Sequence, residues 1–517
     1  MLVHHYLEYY ARNRPELPCL SQNGQTSSYS EVNHCANQAA NGLRALGMDH
    51  GDRVAILGEN SLEHLILFMA ASKIGAVCVS LNYRLAPAEL AFIINDANAR
   101  VLLALDGMAD CLASLQSQLA DDITVLADGV ATARNWGQWL ARQDSTRPGA
   151  QPAPQQALLQ LYTSGTTGNP KGVVISHFNL LSLVTMNNTA SPHRPDPGMA
   201  TITCAPMFHI GGAGSIIYNV CMGMHTLLHR SFDPALVVAD MENHPVCNIF
   251  MVPAMIMACL QLPDIEQRDF SQLRQIFYGA SPISESVLRR ALAVFQCDFV
   301  QMYGMTETTG TVINLSADDH RAALDGRPEL LRSCGRSSVG AEAKVVDAAG
   351  AELPPGEIGE IWLKSDTNML AYYNLPEATA ANLTDGWVHT GDAGYMDEEG
   401  YLFLKDRIKD MVVSGGENIY PVEVENALAM HPAVADVAVI GVPNERFGEA
   451  LLAFVVVEPG AALALDDMVD FCRDKIAGYK IPRQLQLVDE LPRNPSGKIL
   501  KKVLREPYWP SSDRSIG

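Results

Sequence analysis

Residues 162–172 read Tyr162-Thr163-Ser164-Gly165-Thr166-Thr167-Gly168-Asn169-Pro170-Lys171-Gly172, a stretch crowded with hydroxyls, glycines and one lysine. Glycines let backbone N–H groups turn toward an anion, the hydroxyls add donors, and Lys171 adds a mobile positive charge. Such a set binds phosphate oxygens. Apolar runs flank it, at 157–161 and 173–175, so it reads as a loop between two strands at a tight, water-accessible reversal. The ordinary P-loop ends Gly-Lys-Ser/Thr, whereas here Pro170 precedes Lys171 and Gly172 follows it. A polar linker is the plain alternative, and linkers rarely sit between two buried strands.

The pattern Tyr-Thr-Ser-Gly-Thr-Thr-Gly-x-Pro-Lys-Gly resembles the phosphate loop of the AMP-forming acyl and aryl adenylate enzymes: acyl-CoA synthetases, luciferases and peptide-synthetase adenylation domains. Further matches follow in the family's order to near the C-terminus, and the whole looks most like bacterial fatty-acyl-CoA synthetases. The resemblance implies ATP as substrate, with Ser164, Gly165, Thr166, Thr167 and Lys171 around its phosphates and Thr163 in the catalytic set. Pro206-Met207-Phe208-His209-Ile210-Gly211-Gly212 sets a histidine at the end of a strand. A lone histidine there is ordinarily a satisfied core residue. In the family the position borders the acyl pocket, which implies a catalytic, gating role for His209. The small residues Gly211, Gly212 and Ser215 leave space for an acyl chain, although tight helix packing explains glycines equally well.

Tyr278-Gly279-Ala280-Ser281 and Gln301-Met302-Tyr303-Gly304-Met305-Thr306-Glu307 both fall at strand ends. Tyr303 offers a flat face for adenine. By resemblance Gly279, Ala280, Ser281, Gly304 and Thr306 complete the nucleotide site, and Met251, Tyr278, Gly304 and Met305 the acyl pocket. Glu307 is a hard oxygen ligand suited to Mg²⁺ bridging phosphates. Taken alone, Tyr303 reads as core and Glu307 as a solvated loop carboxylate. Trp387-Val388-His389-Thr390-Gly391-Asp392 resembles the family's ribose motif, with Asp392 accepting from both ribose hydroxyls and Arg407 completing the sugar contact. An unrelated surface salt bridge is the bland reading of that pair.

Near the C-terminus, Pro492-Arg493-Asn494-Pro495-Ser496-Gly497-Lys498 matches the family's final motif and makes Lys498 the expected catalytic lysine. A carboxylate attacking ATP approaches an already negative α-phosphate, and an ammonium touching both stabilises charge where it develops. No general base is needed. Gly415 and Gly416 resemble a loop lining a pantetheine tunnel for coenzyme A, and Lys409 matches the hinge about which the family's small domain rotates. The implied reaction joins a carboxylic acid, medium or long and aliphatic, to ATP as acyl-AMP and then to coenzyme A. Aryl-CoA ligation of the feruloyl or coumaroyl type, and loading of a separate acyl carrier protein, are the alternatives.

Composition narrows the field. A net charge of −21 argues against nucleic acid and requires any phosphate site to be a local positive pocket in an acidic shell. Eleven scattered cysteines without Cys-x-x-Cys suit buried free thiols in a reducing cytoplasm. No signal peptide is evident at the N-terminus. Two uncharged runs, 210–228 and 247–262, are broken by glycines or by Pro253 and read as buried core rather than membrane spans. Lys498, Lys501, Lys502 and Arg505 form a basic face, usually solvated, that admits transient contact with a membrane surface. A homodimer is compatible with the sequence, which carries no readable oligomeric signal.

The elements that must position these groups alternate. Strands are expected at 52–57, 77–81 and 100–105, with an amphipathic helix at 62–73 and another at 86–95. The alternation repeats through 201–205, 226–229, 248–252, 275–278 and 299–302, and ligands bind at the carboxyl ends of such strands. Residues 340–405 turn β-rich, and beyond Lys409 a small α+β pattern begins. The fold class is therefore α/β: a large N-terminal adenylate-forming domain, 1–406, with helix-covered, mostly parallel sheets and a β-rich subdomain, then a small mobile lid, 407–517.

Overall fold

The structure is a computed structural model that describes residues 1–128, 130, 133–149, 152–163, 170–281, 283–407, 410–414, 417–444, 446–473, 475–493 and 499–509. Two compact units make it up, one of residues 1–342 with 363–388 and one of 343–362 with 389–517.

The first unit holds two large sheets. One orders its seven strands Ala371–Tyr372, Lys171–Ser176, Ala157–Thr163, Val77–Leu81, Arg53–Leu57, Ala99–Ala104 and Thr124–Ala127. Its centre is parallel, and Val77–Leu81 is buried at every position, the near-continuous apolar run of a strand covered on both faces. The helix Leu62–Ile74 starts at Ser61, whose side chain accepts from the His64 N–H, and stops at Gly75 with φ +75°. The expected amphipathic face is absent: every residue from His64 to Ile74 is buried. This helix packs beneath both Val3–Asn13 and Tyr29–Ala45, so it has no wet side. Its one buried charge, Lys73, donates to Glu8 at 2.7 Å and to Asn33 at 2.9 Å.

The second sheet of this unit has nine strands, with Gln275–Gly279, Val246–Met251, Ala200–Thr203 and His225–Leu228 parallel at its heart. Asp298–Met305 runs parallel to Gln275–Gly279 and antiparallel to Gly310–Leu315. Asn60, just past the strand Arg53–Leu57, ties the two sheets. Its amide donates to the Ala205 and His229 carbonyls, and its oxygen accepts from the Met207 N–H at 2.8 Å. The uncharged runs resolve into core elements, the helix Ile210–Met222 before the strand His225–Leu228, and the strand Val246–Met251 before the helix Pro253–Leu260. Among the described residues no helix is long and apolar enough to cross a membrane. All eleven cysteines are free, and eight are buried.

In the second unit the latter part of Trp387–Met396 pairs antiparallel with Leu402–Arg407. A smaller sheet is built on the hairpin Val434–Asn444 and Gly448–Val457, with Val412–Ser414 and Gln484–Leu487 added to the second strand. The helices Pro421–Leu428 and Leu465–Arg473 supply Val424, Leu428, Met468 and Cys472 to its core. Two cations of the basic C-terminal face are engaged internally, Lys501 with Glu425 at 2.8 Å and Arg505 with Asp410 at 2.7 Å. This unit takes in 389–406 as well as the residues beyond 407, and Lys409 lies outside the described residues.

Candidate active site

The phosphate-loop strands arrive as a hairpin, Ala157–Thr163 against Lys171–Ser176, with Thr163 opposite Lys171. Tyr162 pins the first strand by donating to Asp96 and accepting from Gln160 at 3.0 Å. Ser164, Gly165, Thr166 and Thr167 lie outside the described residues. Next to the second strand lies Ala371–Tyr372, in register with Val174 and Val173. The Lys171 ammonium stands over the Tyr372 ring, 5.0 Å from its centroid. The Tyr372 hydroxyl donates to Glu307 Oε1 at 2.8 Å. Burial, then the Glu307 charge, push the Tyr372 phenol well up, so it stays a donor.

Glu307 follows the strand Asp298–Met305 of the other sheet, so Tyr372 joins the lysine of one sheet to the carboxylate of the other. The turn is tightly specified. Thr308 Oγ1 accepts from the Met305 N–H at 3.0 Å and donates to the Gly310 carbonyl at 2.8 Å, and Thr309 takes φ +52°. The Glu307 carbonyl accepts from the Met369 N–H at 2.7 Å. Glu307 is 7% exposed, which rules out the solvated carboxylate that its sequence context alone suggests. Among the described residues no cation pairs with it. A buried carboxylate without a counter-charge, one aromatic ring from an ammonium, suits a divalent cation and phosphates. The His/Cys/Asp/Glu cluster tight enough to chelate among the described residues, His4, His5 and Glu8, is elsewhere, and its Glu8 already serves Lys73 and Arg147.

Tyr303 and Gly304 lie on the strand leading into this turn, Tyr303 half-buried opposite Ile313. The glycines serve strand contact. A Cβ on Gly304 would sit 1.7 Å from the Gly310 carbonyl oxygen, and one on Gly279 2.0 Å from that of Met302. Ala280 is exposed with φ +68°, a left-handed conformation costly for an L-residue. Ser281, Met305 and Thr306 are half-buried beside these strand ends.

His209 precedes the helix Ile210–Met222, its ring 4.5 Å from Phe208, which meets Tyr83 edge-on at 5.6 Å. Burial and the nearby Arg84 lower its pKa to about 4, so the imidazole is neutral above that pH. Its Nε2 is buried with no partner among the described residues. Space beside the small residues is largely taken: the Pro206 carbonyl fills the place next to Gly212, and the Phe250 ring that next to Gly211. Ser215 donates to the Gly211 carbonyl at 2.5 Å. Met251 is fully buried, as is Tyr278, whose hydroxyl hydrogen-bonds His320 Nε2 at 2.9 Å. Phe250 and Tyr83 stand out only in three dimensions.

In the second unit Asp392, 9% exposed, lies directly across the strand pair from Arg407, which is placed here by its backbone alone. Thr390 Oγ1 accepts from the Asp392 N–H at 3.0 Å and donates to the Ile361 carbonyl, while Glu360 accepts from the Gly391 N–H at 3.0 Å. The Trp362 and His389 rings stack beside this turn at 3.8 Å. Gly415, Gly416 and Lys498 lie outside the described residues.

Two family matches cover most of the chain, AMP-binding enzyme over residues 7–373 and AMP-binding enzyme C-terminal domain over 423–498. A fatty acid–[acyl-carrier-protein] ligase, ScoC of Streptomyces coeruleorubidus, is 37% identical, covering 98% of this chain and 96% of its own. The long-chain-fatty-acid–CoA ligase FadD13 of Mycobacterium tuberculosis is 35% identical over 93% of each. The structure of the o-succinylbenzoate CoA synthetase MenE of Bacillus subtilis, with the acyl-adenylate OSB-AMP, superposes with a TM-score of 0.86 at 29% identity, over 97% of this chain and 98% of that one. Fold and matches together define an acid–thiol ligase of the adenylate-forming kind. The chain belongs to the AMP-binding enzyme family.

Proposed function

We propose that this ligase is an AMP-forming acyl-CoA synthetase for medium- or long-chain fatty acids: acid and ATP give acyl-AMP and pyrophosphate, then acyl-CoA and AMP. The observation that carries the reading is the buried Glu307 carboxylate, without a cation partner among the described residues, set 2.8 Å from the Tyr372 hydroxyl, whose ring faces Lys171. Glu307 would hold Mg²⁺, which when bound offsets the charge of the triphosphate. Lys171, Thr163 and the adjoining hydroxyl loop orient the phosphates, Tyr303 offers its ring to adenine, and Asp392 with Arg407 takes the ribose. The acid lies beside His209, whose neutral imidazole adds no charge to compete with the carboxylate. Lys498 reaches the acid and the α-phosphate, stabilising the charge of the attack. A turn of the C-terminal lid near Lys409 then withdraws Lys498 and brings Gly415 and Gly416 toward the thiol.

The apolar ring of Phe250 beside Gly211, and the buried methionine that follows it in sequence, Met251, favour an aliphatic acid. The test is acid-dependent pyrophosphate release across saturated acids of graded length and a set of cinnamates, followed by identification of the thioester. Activity rising with chain length supports the proposal, and a preference for cinnamates replaces it with aryl-CoA ligation. A second reading rests on the 37% identity to the carrier-protein ligase along 98% of the chain. In it the acceptor is a carrier-borne thiol, and acyl-AMP would form normally while free coenzyme A gives no product.

A further inference from the structure

Tyr372 has no place in the phosphate-loop, adenine or ribose motifs, yet it touches the two charged groups that matter most to the triphosphate. It belongs to a two-residue strand docked on Lys171–Ser176. Backbone bonds hold it there from both sides: Leu370 N–H donates to the Val174 carbonyl at 2.9 Å and Tyr373 N–H to the Gly172 carbonyl at 2.7 Å. The Tyr372 N–H itself donates to Thr379 Oγ1 at 3.0 Å. With 5% of its surface exposed, the side chain is fixed in one direction. Its hydroxyl meets Glu307 Oε1 at 2.8 Å, 65 residues away in sequence, and its face carries Lys171 Nζ at 5.0 Å from the centroid. Among the described residues only one carboxylate oxygen is engaged, which leaves the other for a ligand. Among the described residues the ammonium meets a ring and no carboxylate, and a ring releases it more readily to an incoming phosphate.

We propose that Tyr372 is a positioning residue for the nucleotide: its hydroxyl aims the Glu307 carboxylate at the phosphate-bound Mg²⁺, and its ring keeps the Lys171 ammonium next to that carboxylate without letting the two pair. This rests on the reading of Glu307 and Lys171 as the metal and phosphate groups. The two functions separate by substitution. Tyr372→Phe keeps the ring and deletes the hydroxyl; Tyr372→Leu deletes both.

The experiment measures equilibrium ATP binding to the full chain by calorimetry, without acid and hence without turnover, at graded Mg²⁺ and in EDTA. Tyr372→Phe should raise the Mg²⁺ concentration for half-maximal ATP binding about tenfold, the weight of one charge-assisted hydrogen bond. Its binding of metal-free ATP should match the parent. Tyr372→Leu should weaken both. A Tyr372→Phe protein with the parent's Mg²⁺ dependence overturns the proposal, and so does one in which metal-free and Mg²⁺-bound ATP weaken equally. Should the leucine variant fail to fold, the near-isosteric phenylalanine variant still decides the role of the hydroxyl. Glu307→Gln separates the two layers. If it too leaves the Mg²⁺ dependence unmoved, the reading of Glu307 fails; if it shifts the dependence and Tyr372→Phe does not, only the role of Tyr372 fails.

Discussion

Gly304→Ala isolates the packing that places Tyr303 and Glu307. The added methyl would sit 1.7 Å from the Gly310 carbonyl oxygen and 3.0 Å from Thr308 Oγ1, while real Cβ contacts essentially never fall under 3.0 Å. The obstacle is backbone, so the strands Asp298–Met305 and Gly310–Leu315 must part by at least 1.3 Å, the difference between 3.0 and 1.7 Å. Overpacking of this kind costs about 1–3 kcal/mol of stability. The turn bearing Glu307 hangs between these strands, and a misplacement of about 1 Å costs about a hundredfold in rate. Gly304→Ala should therefore lower kcat/KM for ATP about a hundredfold in acid-dependent pyrophosphate release, with a lower urea midpoint. Gly211→Ala is the control, because its methyl meets the Phe250 ring at 2.9 Å and that ring can turn aside. Its effect should fall on the KM of the acid and leave that of ATP unchanged. A Gly304→Ala enzyme with the parent's ATP kinetics and urea midpoint would show that this packing does not place the Glu307 turn.

Ala280→Gly relieves a φ of +68° and should leave the urea midpoint unchanged or raise stability by up to about 1 kcal/mol, against the loss ordinarily seen on replacing alanine by glycine. Acid should destabilise the fold through buried neutral histidines: burial lowers His4 and His64 to about 3 and His177, His209 and His320 to about 4, from 6.5. Each takes up a proton on unfolding below about pH 6.5 while the folded protein does not, so stability falls as pH drops toward 4, by up to about 1.4 kcal/mol per pH unit for each group. His64→Leu should flatten that slope by one such contribution in urea titrations between pH 7 and pH 5. Glu8→Gln strands the Lys73 ammonium, 2% exposed, and should cost about 3–5 kcal/mol in urea unfolding, part of which Lys73→Met restores.

Much of the scaffold was legible because burial and strand chemistry agree locally. Val77–Leu81 is apolar but for Ser80, and the strand lies where that run does. The helix at Leu62–Ile74 was legible as a helix but not as a wholly buried one, since its cover comes from Val3–Asn13 and Tyr29–Ala45, which no local period reports. The site divides the same way. Lys171 and Glu307 are conspicuous in type, but the burial of Glu307 depends on a contact made 65 residues later by Tyr372, in a strand of two residues that reads as loop. Gly279 and Gly304 invite the reading that a ligand needs their space. In the fold, the neighbouring strand's carbonyls occupy it, and a sequence does not say whose backbone approaches.

In the proposed mechanism one lysine near the C-terminus drives the first half of the reaction and stands aside for the second. Measuring both halves with Lys498→Ala decides it: pyrophosphate release from acid and ATP, and acyl-CoA formation from supplied acyl-adenylate. The first should be lost while the second stays within a few fold of the parent. Equal loss of both, or adenylation that persists, would contradict it.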